Sequence, residues 1–254
     1  MITAGIDMGA KNIRVVILKD GEVIGRGERM AGFDTKESGD AAFQTALDQA
    51  GISLDQIDKI TSTGAGRKSA PHATNDITEV GAAAKGTLML VPNARTVIDV
   101  GAEEGRAIKT DANGKVMDFA INEKCAAGSG AFTESMARAL EVPLEEFGGL
   151  SLKSDKSIPM NAQCAVFAES EVVSLVHAKT SKEDISRAVH DAIADRIVSM
   201  VRRVGVNPDI ALIGAVSRNI GFVKSLERGL EKEIIIPEFA EYAGALGAAI
   251  AAAE

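Results

Sequence analysis

Short apolar runs and alternating apolar positions dominate the first 30 residues and predict strands. Residues 2–7, 13–19 and 22–28 have this pattern. Asp20-Gly21, between the second and third runs, is typical of a two-residue hairpin turn. The chain is therefore expected to begin with an antiparallel meander.

The rest of the chain alternates helical periodicity with short apolar runs. Residues 182–204 carry the clearest helical pattern, because apolar side chains at three- and four-residue spacing define one face. Pro143 and Gly148-Gly149 are expected to break the chain between helices. The pattern predicts further helices at 38–50, 76–90, 130–141, 166–177, 222–230 and 242–253, and strands at 57–63, 94–100, 105–110, 115–120, 210–213 and 234–236.

An Asp-x-Gly sequence closes a predicted strand twice, as Asp7-Met8-Gly9 and as Asp99-Val100-Gly101. Further strands around a tight turn follow each copy, the second at Asn113-Gly114. The repetition predicts two lobes of related topology in an α/β fold. A carboxylate beside such a turn can hold a Mg²⁺-bound water while the turn N–H groups meet phosphate oxygens, although the same pattern is also typical of a plain turn.

Composition excludes several classes of protein. With 254 residues and 46% hydrophobic content, the chain can form one large domain or two lobes. No apolar run reaches the roughly 18 to 20 residues of a membrane span, and the chain opens directly in strand-like sequence, so we expect a cytoplasmic protein without a leader or a membrane partner. The net charge of −8 argues against a nucleic-acid partner.

Two cysteines, Cys125 and Cys164, each begin a segment of small residues that looks like the start of a helix. A helix N-terminus stabilises a thiolate, which makes both residues candidate metal ligands. Buried structural cysteines are the alternative, and a disulfide is a third possibility that a reducing compartment disfavours. A [4Fe–4S] cluster usually takes four thiolates, so two chains would have to share one.

Four stretches, at residues 6–9, 99–101, 214–219 and 244–247, resemble in this order the phosphate and adenosine segments of one superfamily. It contains acetate and sugar kinases, heat-shock chaperone ATPases and actin. Within it, the two cysteine segments and Thr63-Gly-Ala-Gly-Arg67 resemble the iron–sulfur ATPase family. Its members are activators of 2-hydroxyacyl-CoA dehydratases and ATPase subunits of benzoyl-CoA reductase.

The resemblance implies an actin-like ATPase fold, in which two α/β lobes of related mixed-sheet topology, with flanking helices, enclose an ATP cleft. Residues 1–95 with 240–254 would form the first lobe, and residues 96–239 the second. It also implies a dimer that shares one [4Fe–4S] cluster, held by Cys125 and Cys164 of each subunit.

The resemblance also assigns roles by position. Asp7 and Asp99 would organise Mg²⁺ and its waters, and Glu103 stands where activators carry the amide expected to position water. Ala10 and Ala215 also depart from the activators, which have Ser or Thr and Gly there. The residues expected to line the nucleotide are Gly9, Ala10, Lys11, Arg14, Gly101, Ala102, Gly214, Ala215, Asn219 and Gly247.

The implied function is an ATP-hydrolysing electron-transfer subunit that drives low-potential electrons to a CoA-thioester reductase or dehydratase. The stretch 101–108 looks most like a benzoyl-CoA reductase ATPase subunit, with a dehydratase activator as the alternative. Expected partners are a homologous ATPase subunit or a second copy, the reductase or dehydratase component, and an electron donor such as ferredoxin. A small-molecule kinase or a non-catalytic ATP-binding regulator are alternatives of another class.

Overall fold

The computed structural model describes residues 1–122, 128–160 and 164–254. Its strands are β1 (Ile2–Met8), β2 (Asn12–Lys19), β3 (Glu22–Met30), β4 (Lys59–Thr63), β5 (Asn75–Asp76), β6 (Thr96–Val100), β7 (Gly105–Thr110), β8 (Val116–Asn122) and β9 (Ile210–Ile213). Its helices are α1 (Thr35–Ala50), α2 (Glu79–Leu90), α3 (Gly130–Ala139), α4 (Leu144–Ser151), α5 (Ala165–His177), α6 (Lys182–Val204), α7 (Ile220–Leu230) and α8 (Ala243–Ala253). No helix within these ranges is both long and apolar enough to cross a bilayer.

The strands form two mixed sheets of the same plan. The first has the order β3-β2-β1-β4-β5, and the second has the order β8-β7-β6-β9. In each sheet three consecutive strands form an antiparallel meander, and a later strand, β4 or β9, lies parallel to the first of them. The predicted α/β fold with two related mixed sheets is therefore confirmed. The proposed lobe boundaries at 95/96 and 239/240 stay predictions.

Two helices rich in alanine and glycine, α2 and α8, join the sheets. α8 packs on β1, β2 and β4, whereas α2 packs on α8 and on β6, β7 and β8. The helices approach each other closely because Gly86 lies against the carbonyl of Ala243 and Gly247 against that of Ala82, where a Cβ would overlap the neighbour. Small residues thus let two helices occupy the space between the sheets.

The structure corrects the prediction that Gly148-Gly149 breaks the chain. Both glycines lie inside α4. A Cβ on Gly148 would overlap the Asn219 side chain and lie 3.1 Å from the amide nitrogen of Gly221. Gly148 is therefore a packing residue where α4 meets α7, and the cost of glycine in a helix is offset by this contact.

The prediction of a strand at 234–236 is also wrong, because only one residue of this stretch pairs with a sheet. Ile235 forms one isolated parallel bridge to Ala211, with its amide donating to Ile210 and its carbonyl accepting from Leu212. Other predicted elements differ at their ends. α1 begins at Thr35, three residues early, because the Asp34 side chain caps its first N–H groups.

Candidate active site

Asp7 and Asp99 occupy equivalent positions at the ends of β1 and β6. In register, Asp7 is opposite Arg14 on β2, and Asp99 is opposite Arg106 on β7. Arg106 Nη1 donates to Asp99 Oδ2 at 2.9 Å, and Arg14 Nη2 donates to Glu28 Oε1 at 2.8 Å. Each sheet therefore brings one carboxylate and one guanidinium to the space between the sheets.

A glycine turn follows the parallel neighbour of each of these strands. Gly64 follows β4 with φ +90°, and Gly214 follows β9 with φ +85°. A Cβ on Gly64 would overlap the Asp7 carboxylate, and one on Gly214 would lie 2.8 Å from Asp99 Oδ1. These positions therefore combine a left-handed backbone with close approach to a carboxylate, and both conditions favour glycine.

A cavity of about 480 Å³ opens between the two aspartates, within the usual size range of a small-molecule site. Every predicted nucleotide residue except Gly247 lines it. The predicted residues in its wall are Asp7, Gly9, Ala10, Lys11, Arg14, Asp99, Gly101, Ala102, Glu103, Gly214, Ala215 and Asn219.

Gly247 does not line this cavity, because it is buried where α8 meets Ala82 of α2. Gly244, one turn earlier on α8, lines the cavity instead, and a Cβ there would lie 2.7 Å from Asp7 Oδ2. Glu103 is an exposed residue in the cavity wall.

Around Asp7 and Asp99, carboxylates outnumber guanidinium groups. Burial, followed by the negative charge of Asp99, raises the pKa of Asp7 to about 6, against the opposing effects of Arg14 and Arg106. Burial alone would lower the pKa of Arg106, but Asp99, Glu104 and Glu79 outweigh that and raise it. The described residues contain no cluster of three or more metal-ligating side chains. The aspartate pair fits a Mg²⁺ ion that keeps its waters and shares phosphate oxygens, which usually takes only one or two carboxylates.

We expect the Asp7 carboxyl to make stability depend on pH. Its pKa is higher in the folded protein than in the unfolded chain, so its contribution is fully present below about pH 4 and is lost as the pH rises through about 6. Asp7→Asn removes this dependence. The free energy of unfolding of the variant minus that of the parent should therefore be larger at pH 8 than at pH 4, by on the order of 3 kcal/mol. Urea unfolding without divalent cations measures this, and an equal difference at both pH values would contradict it.

Sequence reasoning missed the other charged residues of the cavity, which are Glu79, Glu104, Arg106, Glu134, Glu145, Arg218 and Glu241. Glu79, the first residue of α2, faces Arg67 at 3.3 Å and Arg106 at 3.8 Å. Arg106 had a signal in the sequence, because an arginine follows seven residues after the aspartate of each Asp-x-Gly copy. Glu79 and Glu134 had none, since only folding brings their helices to the cavity.

Cys125 lies outside the described residues, and Cys164 is a free, half-buried thiol at the N-cap position of α5. The helix N-terminus provides N–H groups that stabilise a thiolate ligand. The apolar side chains exposed on α5 are Val166, Phe167, Val173 and Val176, of which Val166 and Phe167 lie in the first turn, beside this thiol.

A family model for the BadF/BadG/BcrA/BcrD ATPase family matches residues 4–252. The chain belongs to this family. The predicted relationship is thereby confirmed, and with it the prediction that this chain is an ATPase that binds ATP.

Three members of this ATPase family give the scale of the similarity. The activator of lactoyl-CoA dehydratase from Anaerotignum propionicum is 38% identical over all of this chain and 98% of its own length. A benzoyl-CoA reductase subunit from Thauera aromatica is 32% identical, over 98% of this chain and 92% of its own. The structure of the activator of the 2-hydroxyisocaproyl-CoA dehydratase from Clostridium difficile with bound ADPNP superposes with a TM-score of 0.92, at 35% identity, over 99% and 94% of the two chains.

More distant structures share the fold alone. A ROK family glucokinase from Streptomyces griseus, solved with glucose and AMPPNP, has a TM-score of 0.57 at 14% identity, over 100% of this chain and 99% of its own. The likeness confirms the predicted actin-like fold class.

Proposed function

We propose that this protein hydrolyses ATP to drive electron transfer to a CoA-thioester dehydratase or reductase. The observation that carries the proposal is the pair of equivalent aspartates facing one cavity, in a chain whose relatives are named as dehydratase activators and as part of a reductase. Of the two named classes, the activators are 36–38% identical and the benzoyl-CoA reductase protein 32%. These identities favour a dehydratase activator over the reductase ATPase that residues 101–108 suggest.

In the proposed site, the two turns after β1 and β6 hold the phosphates of ATP. The backbone around Gly9 and Gly101 offers N–H groups, and Lys11 and Arg14 add positive charge. Asp7 and Asp99 would hold Mg²⁺ through its waters, and the ion would neutralise charge that develops on the phosphates. Gly214, Ala215 and Asn219 border the adenosine.

We infer that α3 connects this site to the cysteines. The N–H groups of Gly130 and Ala131 donate to the carbonyls of Gly101 and Ala102 at 2.9 and 2.8 Å. α3 also packs against α5, which begins directly after Cys164. A shift of the second phosphate turn therefore moves the start of α3, which follows the Cys125 segment.

The proposed cofactor is a [4Fe–4S] cluster shared by two subunits. The donor chemistry fits, because Cys164 is a free thiol at a helix N-terminus and four thiolates require two chains. When bound, the cluster supplies one-electron chemistry at a potential that its surroundings tune. The second subunit is either another copy of this chain or a homologous ATPase subunit, and a donor such as ferredoxin would supply the electron.

The exposed apolar face of α5 supports this assembly and provides a test. Phe167→Glu should weaken subunit association, because an exposed aromatic beside the cluster thiol would be buried between subunits. Anaerobic analytical ultracentrifugation across a dilution series should show dissociation at a concentration at least tenfold higher than for the parent, the loss expected when an anchoring aromatic is removed. Phe33→Glu, which changes a fully exposed aromatic in the loop after β3, is the matched control. Equal dissociation of the two variants would contradict the proposed interface.

Anaerobic purification tests the proposed function as a whole. A brown protein with about four iron and four sulfide per two chains, ATPase activity, and ATP-dependent reduction of a dehydratase component would support it. A colourless protein that phosphorylates a sugar or an acid would establish the kinase alternative. ATP binding without hydrolysis and without iron would establish the regulator.

A further inference from the structure

One ion pair crosses the cavity where the phosphates are proposed to bind. The ammonium of Lys11, in the turn between β1 and β2, pairs with the carboxylate of Glu134 on α3. Both side chains are partly exposed, and both line the cavity. The pair therefore ties a turn of the first sheet to a helix that packs with the second sheet's core.

Phosphate groups are strong competitors for a lysine in this position. A lysine ammonium is a compact point charge that binds phosphate oxygens well. A nucleoside triphosphate also carries more negative charge than one carboxylate. A phosphate next to Lys11 would also repel Glu134, since like charges a few ångströms apart raise each other's energy. The ammonium of Lys11 therefore pairs with either the Glu134 carboxylate or a phosphate, and the two anions compete for it.

We propose that Glu134 is a positioning residue that competes with nucleotide phosphates for Lys11, so that phosphate binding releases α3 from the β1–β2 turn. α3 is the helix whose first N–H groups are held by Gly101 and Ala102. Phosphate binding would thus act on α3 from two sides, through the second phosphate turn and through the loss of the Lys11 contact. This inference rests on ATP binding in the proposed cleft.

Competition for Lys11 predicts that nucleotide binding becomes tighter when the charge of Glu134 is removed, although the loss of a side chain from a binding cleft usually weakens binding. We expect Glu134→Gln to lower the Kd for the Mg²⁺ complex of the imido analogue of ATP by about two- to fivefold, the range typical of a partly exposed ion pair. The Kd for adenosine should not change, because adenosine has no phosphates. Isothermal titration calorimetry of the anaerobic full-length protein measures both constants.

Two further variants separate competition from a general charge effect. In a Lys11→Met background, Glu134→Gln should give a smaller gain, because the contested lysine is gone. Glu145→Gln removes another carboxylate from the cavity wall, on α4, and should tighten binding less than Glu134→Gln does. Unchanged or weaker binding by Glu134→Gln, a full gain without Lys11, or an equal gain from Glu145→Gln would each overturn the proposal.

Hydrogen exchange tests the release of α3 directly. Without nucleotide, the amides of residues 130–139 should exchange faster in Glu134→Gln than in the parent, and the ATP analogue should change their exchange less in the variant. Identical exchange in the two proteins would overturn the release. These readouts do not depend on iron or on hydrolysis, so they can fail while the proposed function stands. A parent protein that binds no ATP would instead remove the proposed function itself.

Discussion

Replacing Asp99 by asparagine is expected to lower the rate of ATP hydrolysis by about 10²- to 10³-fold, while the Kd for ATP changes by less than about tenfold. The asparagine keeps the shape of the side chain and can still accept from Arg106, so the fold should remain. What it removes is the charge that we propose orients Mg²⁺ and its waters during hydrolysis. The nucleotide keeps its backbone and adenosine contacts.

Single-turnover hydrolysis and calorimetric binding, measured on the same preparation, separate the two effects. Asp118→Asn, an exposed aspartate on β8 of the same sheet, is the matched control and should behave as the parent. Asp7→Asn should lower hydrolysis in the same way, because Asp7 holds the equivalent place in the first sheet. Parent-like hydrolysis in both aspartate variants would mean that the two turns have no catalytic role.

Cys164→Ala is expected to abolish cluster assembly, leaving less than about a tenth of the parent's iron and sulfide after anaerobic purification. Each chain would then offer one thiolate in place of two, so a cluster shared by two copies would keep two ligands out of four, and one shared with a homologous subunit would keep three. The fold of the chain should persist, because the Cys164 side chain makes no part of the buried core. Circular dichroism and calorimetric ATP binding check the fold.

Ser170→Ala, on an exposed turn of the same helix, is the matched control and should retain full iron. Cys125→Ala should match Cys164→Ala, since each residue is expected to supply half of one subunit's ligands. A Cys164→Ala protein with full iron and sulfide would remove this residue from the proposed ligand set. That result would not affect the proposed ATP site, because Cys164 does not line the cavity.

The sequence by itself determined most of the local elements and the repeated plan of the two sheets. Apolar alternation and tight turns specify each antiparallel meander, because their information lies within neighbouring residues. The long stripe on residues 182–204 likewise predicted α6 at its observed bounds. The two Asp-x-Gly copies pointed to a pair of equivalent carboxylates, and the two cysteine segments together with residues 63–67 led to the family.

Only the tertiary structure decided which distant residues share the cavity. Gly148 stays helical because α7 packs against it, a contact that local propensity cannot contain. Gly247 is turned towards α2, whereas Gly244 faces Asp7, a choice set by how α8 packs between the sheets. Glu79 and Glu134 reach the cavity because their helices pack there, and no spacing in the chain encodes those packing directions.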